Sequence, residues 1–311
     1  MIRPLWRFIS SLNVLVTGSA GFLGKALIKK FRDKPEIDEV LGVDILPSED
    51  TVVCDIRDYA KLEKVCEGLK PSVIIHVAAQ AYVPKSFEDP IEDATINIVG
   101  TINVLRLALK YGSDLIFTSS ASVYGNPKFL PISEEHPTNP TSPYGLSKLT
   151  GEKYIQLLYP SKSTILRLSS VYGIQEGVRH GPVNSIVYNV VRHGCCYVTG
   201  DGNQTRDFIH VFDVVSAIEL VLDKGIRGIF NVGTGEEHSI NDIVKLVEEC
   251  LGRRFKVEYR PERPGEIRRN LLDIGRLKAE GFKPQKNLKE GIKEIIDFEI
   301  LNIKQSKNSE G

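Results

Sequence analysis

Long apolar runs are missing from this chain of 311 residues, which has no stretch of about 18 consecutive apolar residues. A membrane-spanning helix is therefore not expected. Lysine and arginine together number 40, aspartate and glutamate also number 40, and the formal net charge is zero. No overall field draws such a protein to nucleic acid or to an anionic membrane, so neither partner is predicted and any anion site has to be local.

Cysteine is also scarce, because the chain has only five, an odd number without the C-x-x-C spacing of metal sites. Cys195 and Cys196 are adjacent, which seldom suits a structural disulfide, and free thiols favour a reducing cytoplasm. The six histidines form no metal-type pattern, so no metal is predicted, and His76 is interpreted as structural. Residues 1–11 have too short an apolar stretch for a secretory signal and are interpreted as an extension before the first strand.

A strand, a glycine turn and a helix follow this extension. Residues 12–17, LNVLVT, are apolar and lead into Gly18, Gly21 and Gly24 and then the helical run ALIKKF. Glycines in this setting tighten the turn, let backbone N–H groups approach a diphosphate and let the helix pack on the strand. The helix N-terminus faces the same negative charge. The spacing G-x-x-G-x-x-G therefore predicts a dinucleotide site.

An acidic residue, Asp44, ends the second predicted strand, about 20 residues beyond the last glycine of that turn. A carboxylate there accepts a hydrogen bond from the ribose 2′-OH of NAD and repels the 2′-phosphate of NADP. The next residues, 45–47, include no arginine to bind that phosphate. Asp44 therefore predicts NAD as the cofactor, and the alternative is a polar strand end without a ligand.

Apolar strands alternate with amphipathic helices as far as the strand at residues 164–168. This alternation is typical of an α/β protein with a parallel, doubly wound sheet, whose ligands lie at the carboxyl ends of the strands. The alternation of strands and helices becomes less regular after Gly173, and we expect a smaller lobe beyond it. The residues predicted at strand ends are Gly18, Asp44, Asp55, Ala78, Ala79, Gln80, Ser119, Ser120, Ser169 and Ser170.

Two tyrosines precede a lysine by four residues, but only one pair can share a helical face. A glycine and a proline separate Tyr124 from Lys128, so that segment is interpreted as a turn. Tyr144 and Lys148 follow a Ser-Pro pair suited to a helix start. An ammonium roughly 6 Å away, at an effective dielectric of about 20, favours the phenolate by roughly 2.8 kcal/mol. The second pair therefore predicts acid/base chemistry beside a redox cofactor.

Eight motifs then occur in an order that is similar to one family. They are TGSAGFLG, HVAAQ, TINIVGT, TSSASVYG, SPYGLSK, GDGNQTRDFIHVFDV, NVGTG and RPGE. Together they resemble the extended short-chain dehydrogenase/reductases, in the group of nucleotide-sugar epimerases and dehydratases. The resemblance implies a Rossmann sheet over residues 12–173, to which 206–235 return, and a mainly substrate-binding C-terminal lobe over 174–305. It also implies NAD, a nucleotide-sugar substrate and a homodimer through helices 91–111 and 144–159.

The same resemblance assigns roles to individual residues. The implied catalytic set is Ser120, Tyr144 and Lys148, in which the serine binds the sugar hydroxyl, the tyrosine exchanges its proton and the lysine holds the nicotinamide ribose. The implied cofactor-binding residues are Gly18, Gly21, Phe22, Leu23, Gly24, Asp44, Asp55, Ile56, Ala78, Ala79, Gln80, Tyr144 and Lys148. The implied substrate-binding residues are Asn97, Ser120, Ser122, Ser170, Arg206, Arg263 and Asn270, with the two arginines on the diphosphate. Asn97 is also implied to order the catalytic loop, and the alternative is an asparagine on a helix surface.

The residues after Ser120 separate the reactions of this family. Members that eliminate water resemble T-D-E there, and decarboxylating members also carry a glutamate, whereas this chain has Ala121 and Ser122. Neither side chain shuttles a proton at a sugar carbon near neutral pH. We therefore expect a 4-epimerase that interconverts UDP-glucose and UDP-galactose. The alternatives are a UDP-N-acetylglucosamine or UDP-glucuronate epimerase, a dehydratase, a decarboxylase, a reductase, or a non-catalytic NAD-binding protein.

Two departures from the family pattern bear on the substrate. Ser170 stands where most relatives have an asparagine near the substrate phosphates, so that contact is expected to be lost or mediated by water. Asn270 stands seven residues past Arg263, where hexose-specific members can carry a bulky tyrosine. The smaller residue leaves both the glucose and the N-acetylglucosamine series open.

Overall fold

The computed structural model describes residues 12–177, 181–263 and 265–309, with side chains as far as residue 305. The extension inferred at residues 1–11 lies outside this description. The chain forms two compact units. The first comprises residues up to 125, 137–168 and 215–230, and the second comprises 126–136, 169–214 and the residues from 231 onward.

Strands and helices alternate along most of the described chain. The strands are β1 (Leu12–Thr17), β2 (Ile37–Asp44), β3 (Thr51–Val53), β4 (Val73–His76), β5 (Asp114–Ser120), β6 (Ser163–Leu168), β7 (Ser170–Tyr172), β8 (Cys195–Thr199), β9 (Thr205–His210), β10 (Gly228–Val232), β11 (Glu237–Ser239) and β12 (Lys256–Arg260). The helices are α1 (Phe22–Arg32), α2 (Tyr59–Leu69), α3 (Val83–Glu88), α4 (Pro90–Ala94), α5 (Thr101–Tyr111), α6 (Pro143–Leu158), α7 (Pro182–His193), α8 (Val211–Lys224), α9 (Ile240–Leu251), α10 (Gly275–Ala279) and α11 (Leu288–Ser309).

The main sheet has seven strands in the order β10-β6-β5-β4-β1-β2-β3. β1 pairs in parallel with both β2 and β4, and β4, β5 and β6 continue the parallel run. Both faces of β1 are covered, since Val14, Leu15 and Val16 are fully buried, which explains why the strand is a continuous apolar run in the sequence. The predicted α/β fold with a doubly wound parallel sheet is confirmed.

The helix predicted over residues 91–111 contains an irregular segment that its sequence does not reveal. A π-helical turn, Thr95–Gly100, joins α4 to α5. Asn97 and Gly100 are its buried residues. Turns of this kind are frequent at functional sites because they change which side chains share a face.

The second unit has smaller sheets, β11-β9-β7 and β12-β8. Its own core includes Val187, Val190, Ile243 and Val247, all fully buried. Residues 126–136 belong to this unit although they lie inside the predicted cofactor-binding range. The reason is backbone pairing, in which Ile132 N donates to Leu271 O at 2.7 Å and Ile132 O accepts from Asp273 N at 2.8 Å.

Across the part of the chain that the structure describes, no helix has both the length and the apolar character needed to cross a membrane.

Candidate active site

The glycine turn after β1 has a geometry that admits no side chains. Gly18 has a φ of +75°, and a Cβ there would lie 2.7 Å from the backbone nitrogen of Ala78. A Cβ on Gly24 would lie 2.0 Å from Gly18 O, so α1 packs directly on the turn. Gly21 precedes α1 as its cap, and Phe22 and Leu23 begin the helix. The turn therefore fits a dinucleotide, whose diphosphate needs close approach to backbone N–H groups at a helix start.

Asp44, the predicted ribose-binding residue, lies at the end of β2 beside this turn. One carboxylate oxygen accepts from Ala20 N and the other from Leu46 N, both at 3.0 Å. Ile45 and Leu46 are about three-fifths exposed, at 60% and 61%. The carboxylate is thus fixed in direction by two backbone donors, and each oxygen has remaining acceptor capacity for a ribose hydroxyl.

An arginine beside Asp55 was missed in the sequence. The Nε atom of Arg57 donates to both oxygens of Asp55 at 3.0 and 2.9 Å. This pairing holds the pKa of the Asp55 carboxyl below its usual value. The neighbouring Ile56 is buried and packs against Gly100, where a Cβ would lie 2.5 Å from the isoleucine Cδ1.

The helix that carries the predicted catalytic pair starts as its sequence indicates. The Ser142 hydroxyl accepts from Gly145 N at 3.1 Å, and Pro143 occupies the first helical position. A Cβ on Gly145 would lie only 2.7 Å from Ser122 O. Glycine therefore lets the first turn of α6 approach the loop after β5, which carries Ser120.

Ser120 and Tyr144 lie together at this approach. Ser120 hydrogen-bonds the Tyr144 phenol, and its hydroxyl also donates to Ser122 Oγ at 3.1 Å. Burial raises the pKa of Tyr144 to about 12; the hydrogen bond with Ser120 opposes that change, and the charge of Asp93 adds to it. The direction differs from the sequence expectation of a lowered pKa, because the cost of removing a phenolate from water was not included there.

Lys148 lies one turn after Tyr144 and is only 2% exposed. Its ammonium is 4.4 Å from the centre of the Phe117 ring. Burial lowers the pKa of Lys148 to about 8, while the charges of Glu152 and Asp93 act in the opposite direction. The lysine therefore changes charge in the range where an acid/base reaction would operate.

Tyr124 ends a 3₁₀ turn and is fully buried, so the prediction of a turn there agrees with the structure. Its hydroxyl accepts from Arg167 at 3.0 Å. Arg167 also donates to Glu152 at 2.7 Å, and Ser119 donates to the same carboxylate at 2.5 Å. This buried ion pair was missed, although an arginine in the apolar strand TILRL indicates an internal partner.

Asn97 connects the loop after β4 to the catalytic helix. Its Oδ1 accepts from Gln80 N at 2.9 Å, and its Nδ2 lies within 3.1 Å of three acceptors, Gln80 O, Asp93 Oδ1 and Ser147 Oγ. The residue is 1% exposed. These contacts fit the loop-ordering role that the resemblance implies for Asn97, and they occupy the amide that was also expected to contact substrate.

His76 at the end of β4 is buried between two threonines, in keeping with its structural interpretation. Its Nδ1 lies 2.7 Å from Thr17 Oγ1 and its Nε2 lies 2.9 Å from Thr101 Oγ1. Thr101 donates its hydroxyl to Asn97 O, so it accepts from the ring, and Thr17 donates to Nδ1. Burial lowers the pKa of His76 to about 3.

The predicted substrate residues of the second unit occupy different environments. Arg206 on β9 pairs with Glu266 and donates to Thr205 O at 2.7 Å, and burial lowers its pKa while Glu266 opposes that change. Arg263 is exposed. Asn270 is 6% exposed, and its carbonyl accepts from Asp207 N at 2.8 Å. Ser170 begins β7 and is partly exposed.

A glycine turn at the end of β1 and a serine, tyrosine and lysine around the start of α6 define an NAD-dependent enzyme of the short-chain dehydrogenase type. The model of the NAD dependent epimerase/dehydratase family matches residues 14–233, and the chain belongs to this family. The sequence resemblance to nucleotide-sugar epimerases and dehydratases is thereby confirmed, and so is NAD as the cofactor.

Individual relatives match nearly the whole chain. A putative UDP-glucose 4-epimerase of Methanocaldococcus jannaschii is 39% identical over 301 residues, which cover 92% of this chain and 97% of the relative. The crystal structure of UDP-glucose 4-epimerase from Thermotoga maritima with UDP-glucose has a TM-score of 0.88 at 32% identity, and covers 94% of this chain and 100% of its own. The Thermus thermophilus UDP-glucose 4-epimerase in complex with NAD has a TM-score of 0.86 at 32% identity, with 92% and 98% covered.

Proposed function

We propose that this protein is an NAD-dependent nucleotide-sugar 4-epimerase that interconverts UDP-glucose and UDP-galactose. One observation carries the proposal: Ser120 hydrogen-bonds Tyr144, and the residues that follow Ser120 provide no carboxyl group. Ala121 is buried, and the Ser122 hydroxyl accepts from Ser120. The site therefore has a group for the proton of one sugar hydroxyl but none on this turn for proton transfer at a neighbouring carbon.

The side chains divide the work at the sugar hydroxyl. Ser120 holds the hydroxyl, and Tyr144 accepts its proton and later returns it. Lys148 favours the phenolate while it is protonated, that is, below its pKa of about 8. NAD supplies a reversible acceptor for the hydride, so the reaction as a whole changes configuration without net oxidation. The residues fitted to hold it are the glycines of the turn after β1 and Asp44.

The diphosphate of the substrate is assigned to Arg206 and Arg263. A guanidinium presents a planar fork of donors that matches phosphate oxygens. Glu266 holds Arg206 in a fixed direction, which supports that role, and the exposure of Arg263 leaves it open to an anion. Ser170 is proposed to lie near the substrate phosphates with a contact that is lost or mediated by water, and Asn270 to leave room for an N-acetyl group.

We further propose a homodimer through α4, α5 and α6, and a cytoplasmic location. Exposed apolar side chains on these helices support the dimer, since Ile91 is 76% exposed, Leu146 57% and Leu157 78%. The five cysteines are free, which supports a reducing compartment.

Turnover in D₂O tests the proposed reaction. UDP-glucose, UDP-galactose and their N-acetylated counterparts are incubated with the purified protein and followed by proton NMR. We expect the 4-epimer at equilibrium without deuterium on carbon, because the C4 hydrogen leaves and returns without meeting solvent. Tyr144→Phe should abolish the signal under the same conditions.

Other products would point to the alternatives. Deuterium at C5 or C6 with a stable 4-keto sugar would identify a dehydratase and refute the epimerase. A net change in the redox state of NAD would identify a reductase, and loss of CO₂ from UDP-glucuronate in a parallel incubation would identify a decarboxylase. Tight NAD binding without turnover of any tested sugar nucleotide would favour a non-catalytic protein.

A further inference from the structure

A buried carboxylate, Asp93, lies behind the catalytic helix and has only neutral hydrogen-bond partners. It is 1% exposed. Its Oδ1 accepts from Gln80 Nε2 at 3.1 Å and from Asn97 Nδ2 at 3.0 Å, and Ser147 hydrogen-bonds the same side chain. A carboxylate buried among neutral groups is costly unless a positive charge lies near. Burial accordingly raises the pKa of Asp93, while its hydrogen-bond partners and the charge of Lys148 favour the carboxylate.

The nearby acid Glu152 already has such a partner. Three contacts of 2.7 to 3.2 Å join its carboxylate to Arg167, which is 3% exposed. The charge of Glu152 still raises the pKa of Lys148, and its pairing with Arg167 partly offsets that charge. Among the described residues, no ion pair to a lysine or arginine comparably neutralises Asp93.

Lys148 is the complementary case, an ammonium that is 2% exposed. Phe117 of β5 lies against it, 4.4 Å from the nitrogen to the ring centre. The ring of the neutral His76 of β4 lies 5.4 Å from the Phe117 ring, centre to centre, at an angle of 31°. On α6 itself the titratable neighbours are Tyr144 and Glu152, and the latter is paired with Arg167 of β6. The carboxylate that α4 contributes is Asp93, and each of the two groups acts on the other electrostatically.

We propose that Asp93 is the positioning carboxylate that keeps Lys148 protonated, held in place by Gln80, Asn97 and Ser147. Its hydrogen bonds join the loop after β4, the π-helical turn and Ser147, the residue directly before Lys148, in one network. The ammonium can then stay charged in a buried site without a salt bridge that would draw it away from Tyr144. This role rests on the proposed catalytic use of Lys148, but the charge state of Lys148 can be measured without turnover.

Asp93→Asn is the test, because the amide oxygen can still accept from Gln80 and Asn97 while the charge is removed. The Lys148 ammonium should then lose its proton about one pH unit lower, the scale of one nearby charge. In the pH profile of kcat/KM, the decline at alkaline pH should move to lower pH by the same amount. At pH values below that decline, the activity should stay near the native value. Titration of ¹³Cε-labelled lysine by NMR measures the shift directly, with the Lys148 signal assigned by its loss in Lys148→Met.

Asp89→Asn is the matched control, since Asp89 is exposed on the same segment and an asparagine also caps α4. It should leave both measurements unchanged. Asp93→Glu restores the charge and should return the alkaline decline toward its native position. Asp93→Ser is the second neutral variant if the asparagine protein does not fold.

Two results would overturn the proposal. One is an unchanged Lys148 titration in a folded Asp93→Asn or Asp93→Ser protein. The other is a uniform loss of kcat at every pH without a shift of the alkaline decline, which is what a purely structural residue would give. Because the NMR titration needs no substrate, a protein inactive on UDP-sugars could still show the shift, and the proposed reaction would fail separately.

Discussion

The two tyrosines that precede a lysine by four residues differ in what their hydroxyl groups contact. Tyr144 has a serine hydroxyl beside it at the carboxyl end of the sheet, whereas Tyr124 is fully buried and accepts from Arg167. The first hydroxyl can exchange a proton with a ligand. The second completes the hydrogen bonding of a buried cation.

Tyr144→Phe should lower kcat by about 10³-fold while NAD affinity and the midpoint of unfolding stay close to native, because it removes an acid/base group and little volume. Tyr124→Phe should leave kcat within a few-fold and lower the free energy of unfolding by about 1 to 3 kcal/mol, because Arg167 loses an acceptor. Steady-state kinetics and urea unfolding of both variants separate these effects. If Tyr124→Phe alone abolished turnover, the pair would be wrongly assigned.

Asp44→Ala should weaken NAD binding by about tenfold and bring the dissociation constants of NAD and NADP closer together. The carboxylate accepts a hydrogen bond from the ribose hydroxyl of NAD and repels the phosphate of NADP. Its removal abolishes both the attraction and the repulsion. Fluorescence titration with each cofactor measures the two constants. Tighter binding of NADP than NAD by the native protein would contradict the role of this strand end.

The residues proposed to contact a ligand were easier to predict than the residues that hold them in place. Ser120, Tyr144, Lys148 and Asp44 occupy positions that local spacing and strand ends indicate. Asp93 and Arg167 act through partners far along the chain, and only the folded sheet brings those together. The direction of the Tyr144 pKa was missed for a similar reason, since burial cannot be derived from a spacing of four residues.

At the scale of elements, His76 links β1 to the helix after the π-helical turn through Thr17 and Thr101. Its pKa of about 3 in the folded protein lies below the usual value of 6.5, so the unfolded chain binds the proton more strongly. Stability should fall as the pH drops from about 6.5 to about 3, by up to roughly 1.4 kcal/mol per pH unit.

His76→Gln should flatten this dependence, because glutamine has no proton to gain. Urea unfolding at several pH values compares the slopes of the two proteins, independently of any offset from packing. An equal slope in both proteins would show that the acid sensitivity comes from other groups.

The strands and helices of the first unit follow from patterns that act over short distances. β1 and α6 lie within a residue of their predicted bounds, because a buried apolar run marks the strand and a capping serine with an initial proline marks the helix. The π-helical turn was not foreseen, since Thr95–Gly100 has the composition of an ordinary helix. Only its hydrogen bonds across the fold select the wider turn.

At the scale of the whole molecule, the assembly state is the main expectation that remains a prediction. Leu157→Glu places a charge on a side chain that is 78% exposed on α6, so it should dissociate a dimer formed there. Analytical ultracentrifugation would show the monomer mass. Leu301→Glu on α11, 51% exposed, is the control and should leave the mass unchanged. A Leu157→Glu protein that keeps the dimer mass would place the interface elsewhere.

The division into two units was only partly visible in the sequence. The return of the chain to the main sheet was expected for 206–235, and the first unit regains residues 215–230. Residues 126–136 join the second unit through backbone pairing with residues 271 and 273. Such pairing leaves no periodic pattern, because it depends on two backbones rather than on side-chain types.

Because Thr95–Gly100 forms a π-helical turn, the length of this segment matters independently of which side chains it carries. Loss of one residue would let α4 and α5 merge into a regular helix, but the side chains on one side would rotate by about 100° around its axis. Asp93 would then leave Ser147, and the loop at Gln80 would lose its anchor. Val99, 46% exposed, can change to many other residues without such an effect. At an exposed position such as Val99 the gene can therefore tolerate base exchanges far better than the deletion of a single codon.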